Sequence, residues 1–304
     1  MSVTAALPSS PRPGLTTTDY TLYSITVFAW GFSWIAMKWQ VGSVPPEVSV
    51  FWRFVLAASV MFAWSAAKGH RLLFPPKTHI RFAALGLFIF STNFTLFYYG
   101  AQSVPSGLLA VFFSTASIFN MVLGFILFRQ SVSRTALLAA CLGFCGVALM
   151  FWPQINGTST SVEAAIGLGL CVLGTLSFCL GNMVSASTQK KGFGVASATT
   201  WGMFYGAVLL GLFAWLSGDS FAVDMTPAYL GGLVYLAIVA SVIAFGSYLT
   251  LLGRIGSDRA GYATVLFPVV ALSVSTLFEG YVWTFPALVG LAFVLFGNVL
   301  MLRR

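Results

Sequence analysis

Charged residues are nearly missing from this chain. Of its 304 residues, 15 are Lys or Arg and 7 are Asp or Glu, 7% in all, where soluble domains carry roughly 25%. With 58% apolar residues and a mean hydropathy of +0.91, a water-soluble fold is excluded. No Asp or Glu falls in the middle of an apolar run. That removes the paired aspartates of an intramembrane protease and the buried carboxylate of a proton antiporter. The two histidines, His70 and His79, share one connector, so no His-bearing catalytic motif is spread over the chain. The four cysteines (Cys141, Cys145, Cys171 and Cys179) all lie inside apolar runs and read as small core residues rather than disulfides. Cys141 and Cys145 share a helix face, but no His or acid lies near them to complete a metal site. No metal, no cofactor and no enzymatic activity are expected. The net charge of +8 is scattered over short connectors. Without a basic stripe to track phosphates, nucleic acid is not expected as a partner. The lipid bilayer is.

What the chain does have is long apolar runs. A spanning helix needs about 20 mainly apolar residues, and ten stretches qualify: 20–40, 47–67, 80–100, 105–128, 134–152, 163–187, 195–216, 228–252, 260–278 and 285–302. Pro45-Pro46, Pro75-Pro76, Pro105, Pro153, Pro227 and Pro286 sit at or beside the breaks, where proline costs least. Basic residues occupy every second connector: Lys68, Arg71, Lys77 and Arg81, then Arg129 and Arg134, Lys190 and Lys191, Arg254 and Arg259. Arg12 and Arg303-Arg304 extend the pattern to the ends. The alternate connectors carry Glu47, Glu163, Asp219, Asp224 and Glu279 and no basic residue. By the positive-inside rule the basic side is cytoplasmic. This predicts both termini in the cytoplasm and an integral protein of the cytoplasmic (cell inner) membrane. Residues 1–19, rich in Ser, Thr and Pro, lack the features of a signal peptide and read as a disordered cytoplasmic tail.

The two halves correspond in register: Trp30-Gly31 parallels Phe178-Cys179, and Phe51-Trp52 parallels Thr200-Trp201. A repeated unit of five helices must enter the membrane upside down the second time. Residues 20–152 and 163–304 are therefore predicted as inverted repeats, an architecture of alternating-access transporters with the site near the midplane.

Four short motifs sharpen this reading. They are Ala29-Trp30-Gly31-Phe32, Trp52-Arg53-Phe54, Tyr98-Tyr99-Gly100-Ala101, and Phe267-Pro268 leading to Phe278-Glu279. In this order and layout the chain, over residues 20–302, resembles the EamA family of the drug/metabolite transporter superfamily, and within it the YddG-type amino-acid exporters. The resemblance implies an all-α membrane protein, ten transmembrane helices in two inverted five-helix repeats around a central cavity. It also implies export of amino acids or related small metabolites. Repeats of this family often end their fourth helix with a Pro-to-Glu stretch. Here Ile118 and Arg129 stand nearby, so no role for that acid carries over. Other metabolites or drugs, and a passive channel, are the alternatives.

Arg53 is the charge out of place. Its helix runs inward from Glu47, which puts it roughly 9 Å below the outer end, where an unmatched charge costs a few kcal/mol. Glu47 is off its helical face. A ligand for a substrate carboxylate, a brace between helices and a snorkelling chain all fit. Lys38 and Glu279, at the outer ends of the first and ninth runs, are gate candidates, with snorkelling and ordinary interface placement as their plainer readings. Pairing of Glu279 with Arg53 or Lys38 is one expectation. Pro268 is either a hinge or a static bend. Trp30, Trp34, Tyr98, Tyr99, Trp201, Tyr205, Tyr248 and Tyr262 are candidates to bind substrate by cation–π contact or stacking, against packing between helices or facing lipid. Asn93, Asn120 and Asn182 bond either a zwitterion or a neighbouring helix. Gly202-x-x-x-Gly206 and Ala139-x-x-x-Gly143 offer small faces for close packing. Without a buried carboxylate, substrate is expected to move down its own gradient. Which substrate, and which oligomeric state, stay open.

Overall fold

The computed structural model describes residues 15–129, 132–155, 161–255, 260 and 263–302. No strand occurs among them. The helices are α1 (Thr17–Lys38), α2 (Pro46–Ala67), α3 (Pro76–Gly100), α4 (Ser106–Ser114 and Ala116–Phe128) and α5 (Arg134–Ile155). They continue with α6 (Ser161–Lys190), α7 (Val195–Ser217), α8 (Pro227–Val234 on through Tyr235–Ile243 to Ala244–Ile255), α9 (Ala263–Phe278) and α10 (Phe285–Leu302).

Proline sets several of the starts. Pro46, Pro76 and Pro227 occupy the first turns of α2, α3 and α8, and α4 follows Pro105, since a first-turn residue has no N–H to pair anyway. Two expectations are corrected here. Residues 15–19 do not belong to a disordered tail, because the Thr16 side chain and the Asp19 carboxylate form a reciprocal capping box that starts α1 at Thr17. Residues 1–14 of the expected tail lie outside the described residues. His79 is not in a connector: Pro76 opens α3 four residues earlier than the apolar run predicts, which carries His79 into its first turns.

Seven of the described helices are long and apolar enough to cross a membrane: Pro46–Ala67, Pro76–Gly100, Ser106–Leu127, Arg134–Trp152, Ala165–Lys190, Val195–Ser217 and Pro227–Leu251. Ala263–Phe278 and Phe285–Leu300 are apolar but shorter. α1 has 22 residues, with Thr17, Thr18, Asp19 and Thr21 making its first turns polar. Leu212, Phe213, Trp215 and Leu216 on α7, like Phe125, Ile126 and Leu127 on α4, stand exposed in rows. Such surface belongs in hydrocarbon.

Three helices depart from regular α geometry in ways the apolar pattern does not foretell. α3 widens into a π segment at Phe88–Thr92, and α8 does so at Tyr235–Ile243. α4 breaks at Thr115, where the hydroxyls of Ser114 and Thr115 donate back to the Val111 and Phe112 carbonyls at 2.7 and 2.6 Å. Back-bonding of this kind competes with the helix ladder. In α9, Pro268 is buried inside the helix.

α5 packs along α10, α7 lies across α2 and α3, α9 is flanked by α1 and α4, and α6 by α3 and α4, while α1 also meets α8. The crossings are tight. A Cβ on Gly290 would stand 2.5 Å from the Gly146 carbonyl oxygen, and the reverse distance is the same. Both expected small-residue faces are buried in such contacts. Gly202 and Gly206 face Phe90 of α3, and Gly143 faces Ile118 of α4.

Candidate functional site

Trp30 and Trp34, one turn apart on one face of α1, reach into the middle of the bundle. The Trp30 ring meets Phe245 and Tyr248 of α8 at 5.4 and 5.2 Å and Phe267 of α9 at 6.3 Å. Its Nε1 donates to the Ala240 carbonyl at 3.3 Å, inside the π segment of α8. Trp34 packs edge-on to Phe97 of α3 at 5.4 Å, against Phe113 of α4 at 5.7 Å, and parallel to Phe267 at 6.5 Å. Phe178 of α6 completes the layer against Phe113 at 4.8 Å. Six helices thus contribute rings to one layer. Its faces and edges suit an apolar side chain or an ammonium. Both tryptophans remain half-buried.

Arg53 lies apart from this layer. It is 4% exposed, and its Nε and Nη2 donate to the Ser241 hydroxyl of α8 at 3.2 and 3.1 Å. The guanidinium covers the Phe94 ring at 4.2 Å. No acid pairs with it among the described residues. Glu47 instead accepts the Tyr99 hydroxyl at 2.9 Å. Tyr98, beside Arg53, donates to Gln40 at 2.6 Å, and Tyr229 donates to Ser49 at 2.9 Å. Arg53, Tyr98, Gln40, Tyr229, Ser49 and Ser241 are all buried, tying α2, α3 and α8 to the end of α1. Asn93 is buried at the end of the α3 π segment. Its Nδ2 reaches the Ile89 carbonyl at 3.4 Å and its Oδ1 meets no partner among the described residues.

Just past the end of α9, Glu279 accepts from the Ser106 backbone N–H at 3.2 and 3.0 Å and from the Ser106 hydroxyl. It caps the start of α4, where a carboxylate meets unpaired N–H groups and the positive end of the helix dipole. The expected pairing with Arg53 is therefore corrected: each group is held elsewhere. Lys38 donates to the Ala101 carbonyl and makes no ion pair with Glu279, yet both line one cleft of about 400 Å³.

The remaining candidates lie elsewhere. Trp201 donates to the Leu72 carbonyl at 3.0 Å and stands edge-on to His79 at 4.5 Å. Tyr205 shares a 3.0 Å hydrogen bond with His79 Nδ1. Asn182 of α6 donates to Asn120 of α4 at 3.4 Å. Asp19 pairs with Arg254 at 2.6 Å, which joins the start of α1 to the end of α8. Arg254, then Thr16, hold the Asp19 carboxyl down at about 2. Asp224, in the connector before α8, is also lowered, mainly by the Thr226 backbone N–H.

The predicted residues therefore divide. Trp30, Trp34 and Tyr248 share the central layer, Arg53 and Tyr98 a buried brace, Lys38 and Glu279 a cleft, and Trp201 and Tyr205 a cluster around His79. Tyr99 and Asn182 sit in separate interfaces, and Tyr262 lies outside the described residues. Sequence reasoning missed Ser241, Gln40 and Asp19. Only Asp19 had a legible signal, the spacing Thr16-Thr17-Thr18-Asp19 of a capping box.

The EamA-like transporter family profile matches residues 19–152 and 165–303. The chain belongs to this family. The resemblance to the EamA family drawn from the short motifs holds, and this EamA-like protein is an integral membrane transporter. It is similar to the "Probable amino-acid metabolite efflux pump" of Escherichia coli (strain K12), 26% identical over 273 residues that cover 85% of this chain and 86% of that one. The protein of the same description from Salmonella typhimurium is 23% identical, covering 92% of this chain and 93% of its own length. A solved crystal structure, 14% identical, covers 94% of this chain and 96% of itself with a TM-score of 0.67; at that identity the likeness shows the fold alone.

Proposed function

We propose that this EamA-like protein is a secondary transporter that exports amino acids or related small metabolites from the cytoplasm by alternating access. Its ten helices all span the inner membrane as two inverted repeats, 20–152 and 163–304, with both termini cytoplasmic. The protein carries out no covalent chemistry. The observation that carries the reading is the aromatic layer, to which α1, α3 and α4 of one half and α6, α8 and α9 of the other contribute rings. A site shared by two repeats is what rocking one repeat against the other would open to alternate sides.

The packing supports the repeats. Exchanging each helix for the one five places along turns α1–α8 into α6–α3, α1–α9 into α6–α4, and α3–α7 into α8–α2, all of which are contacts. The pairs α2–α7, α4–α9 and α5–α10 map onto themselves. The π segments fall in α3 and α8, which are counterparts, and Thr115, which breaks α4, and Pro268, inside α9, also fall in counterpart helices. Pro268 then serves as the hinge of its half. The amino-acid class is supported by the names of the two efflux-pump relatives.

Efflux of a panel of labelled amino acids from proteoliposomes tests the reading. Saturable efflux that is insensitive to an imposed pH gradient and falls at least tenfold in Trp30→Ala is expected, tenfold being about 1.4 kcal/mol. Unchanged flux in Trp30→Ala would remove the central layer as the site. Flux that fails to saturate would make the protein a channel. A steep pH-gradient response would restore proton coupling.

A further inference from the structure

The cleft at the outer ends of α1, α4 and α9 has a use that the central layer does not cover. Its lining is Lys38, Gln102, Ser103, Val104, Pro105 and Glu279. One full positive and one full negative charge face the same space of about 400 Å³ without forming an ion pair. Each is anchored to its own wall. Lys38 spends one of its three ammonium donors on the Ala101 carbonyl. Glu279 is fixed by the Ser106 N–H and hydroxyl, which leaves part of its lone-pair capacity open, since a carboxylate has about four acceptor sites. Opposite charges held apart by separate anchors do not cancel; they present two complementary ends to a molecule that carries both.

Further inward along the same helices stand rings of the central layer. Trp34 lies one turn inward from Lys38 on the same α1 face, and Phe97 one turn inward from Ala101 on α3. Phe113 lies two turns inward from Ser106 on α4. These three rings pack on one another at 5.4 to 5.7 Å.

Resting on the exporter reading, we infer that this cleft is the exit-side subsite for the headgroup of a zwitterionic α-amino acid. Lys38 takes the carboxylate and Glu279 the ammonium, while the side chain rests toward Trp34, Phe97 and Phe113. The site selects for free amino and carboxyl groups together, which a purely apolar vestibule would not do.

The test is a competition cycle on purified full-length protein, with labelled L-phenylalanine displaced by itself, by N-acetyl-L-phenylalanine and by L-phenylalanine amide. The wild type is expected to prefer phenylalanine over each derivative by about tenfold, the effect of one charge-assisted contact worth about 1.4 kcal/mol. Glu279→Gln should lose only the preference over the N-acetyl derivative, and Lys38→Gln only the preference over the amide. Both variants keeping both preferences would overturn the inference while leaving the exporter reading intact, provided phenylalanine efflux persists in proteoliposomes. Movement of other amino acids with no phenylalanine binding would also overturn it. No amino-acid flux at all would overturn both. Should Glu279→Gln fail to fold, Ser103→Cys labelled with a bulky impermeant maleimide serves instead: it should abolish phenylalanine binding, and unchanged binding counts against the site.

Discussion

Arg53 illustrates how a single residue is decided by its neighbours. Its charge is buried, yet its partners are neutral, the Ser241 and Tyr98 hydroxyls and the face of Phe94. Removing the Ser241 hydroxyl leaves two buried guanidinium donors without it, which costs about 1–3 kcal/mol, whereas removing both the charge and that hydroxyl can be nearly neutral. Ser241→Ala should therefore lower the thermal midpoint in detergent, and Arg53→Met combined with Ser241→Ala should recover most of the loss. A double variant as weak as the single one would end the brace reading. At the start of α1, Asp19 gives a pH signature. Its carboxyl falls from 3.8 to about 2 on folding, so its contribution is complete above 3.8 and disappears as pH falls through about 2. The stability gap between wild type and Asp19→Asn should be present near neutral pH, shrink across that window and vanish below it. A gap that persists at lower pH would mean that the Arg254 contact is not its source.

At the scale of the element, glycine decides how closely helices cross. Gly146 and Gly290 bring the backbones of α5 and α10 together with room for no side chain. Gly290→Val should destabilise by about 1–3 kcal/mol through overpacking. Gly169→Ala, where nothing lies within 4 Å of the added carbon, should show no loss, and thermal unfolding of the two side by side checks this. The helices themselves were largely legible, because hydrophobic length and proline placement set them: the run 285–302 and the helix Phe285–Leu302 coincide. The π segments were not legible, since nothing in Phe88–Thr92 or Tyr235–Ile243 departs from an ordinary apolar run. They arise where neighbouring helices supply replacement bonds. Ser177 of α6 donates to the Phe88 carbonyl at 2.8 Å, as Trp30 of α1 does to Ala240 at 3.3 Å.

For the whole molecule, the proposed topology makes a direct prediction about which connectors face outward. In a background lacking the exposed thiols Cys141 and Cys145, cysteines at Gln102 and Ser220 should react with an impermeant maleimide on intact cells. Those at His70 and Lys191 should react only after permeabilisation. A reversed pattern at either pair would break the ten-span arrangement. The candidate site was less legible than the topology for a reason of scale. Charge alternation reports on connectors one at a time, but a cavity is made by helices distant in sequence. Trp30 and Tyr248 were both named as candidates, yet nothing in the chain says that they touch, while Trp201 looks equally suitable and sits at the other end against His79.

What the sequence determined by itself was the solvent, the helices and the family. Each follows from local composition: apolar length, proline at breaks, basic residues in alternate connectors and a few short motifs. Only the tertiary structure decided the partners. It gave Arg53 a serine instead of an acid, set Glu279 over the start of α4, and left Lys38 facing Glu279 across a cleft. The physical reason is that hydrocarbon offers a buried polar group no water, so a group that its own helix does not satisfy looks to a neighbour, and which helix stands nearest is settled by packing, not by any one segment.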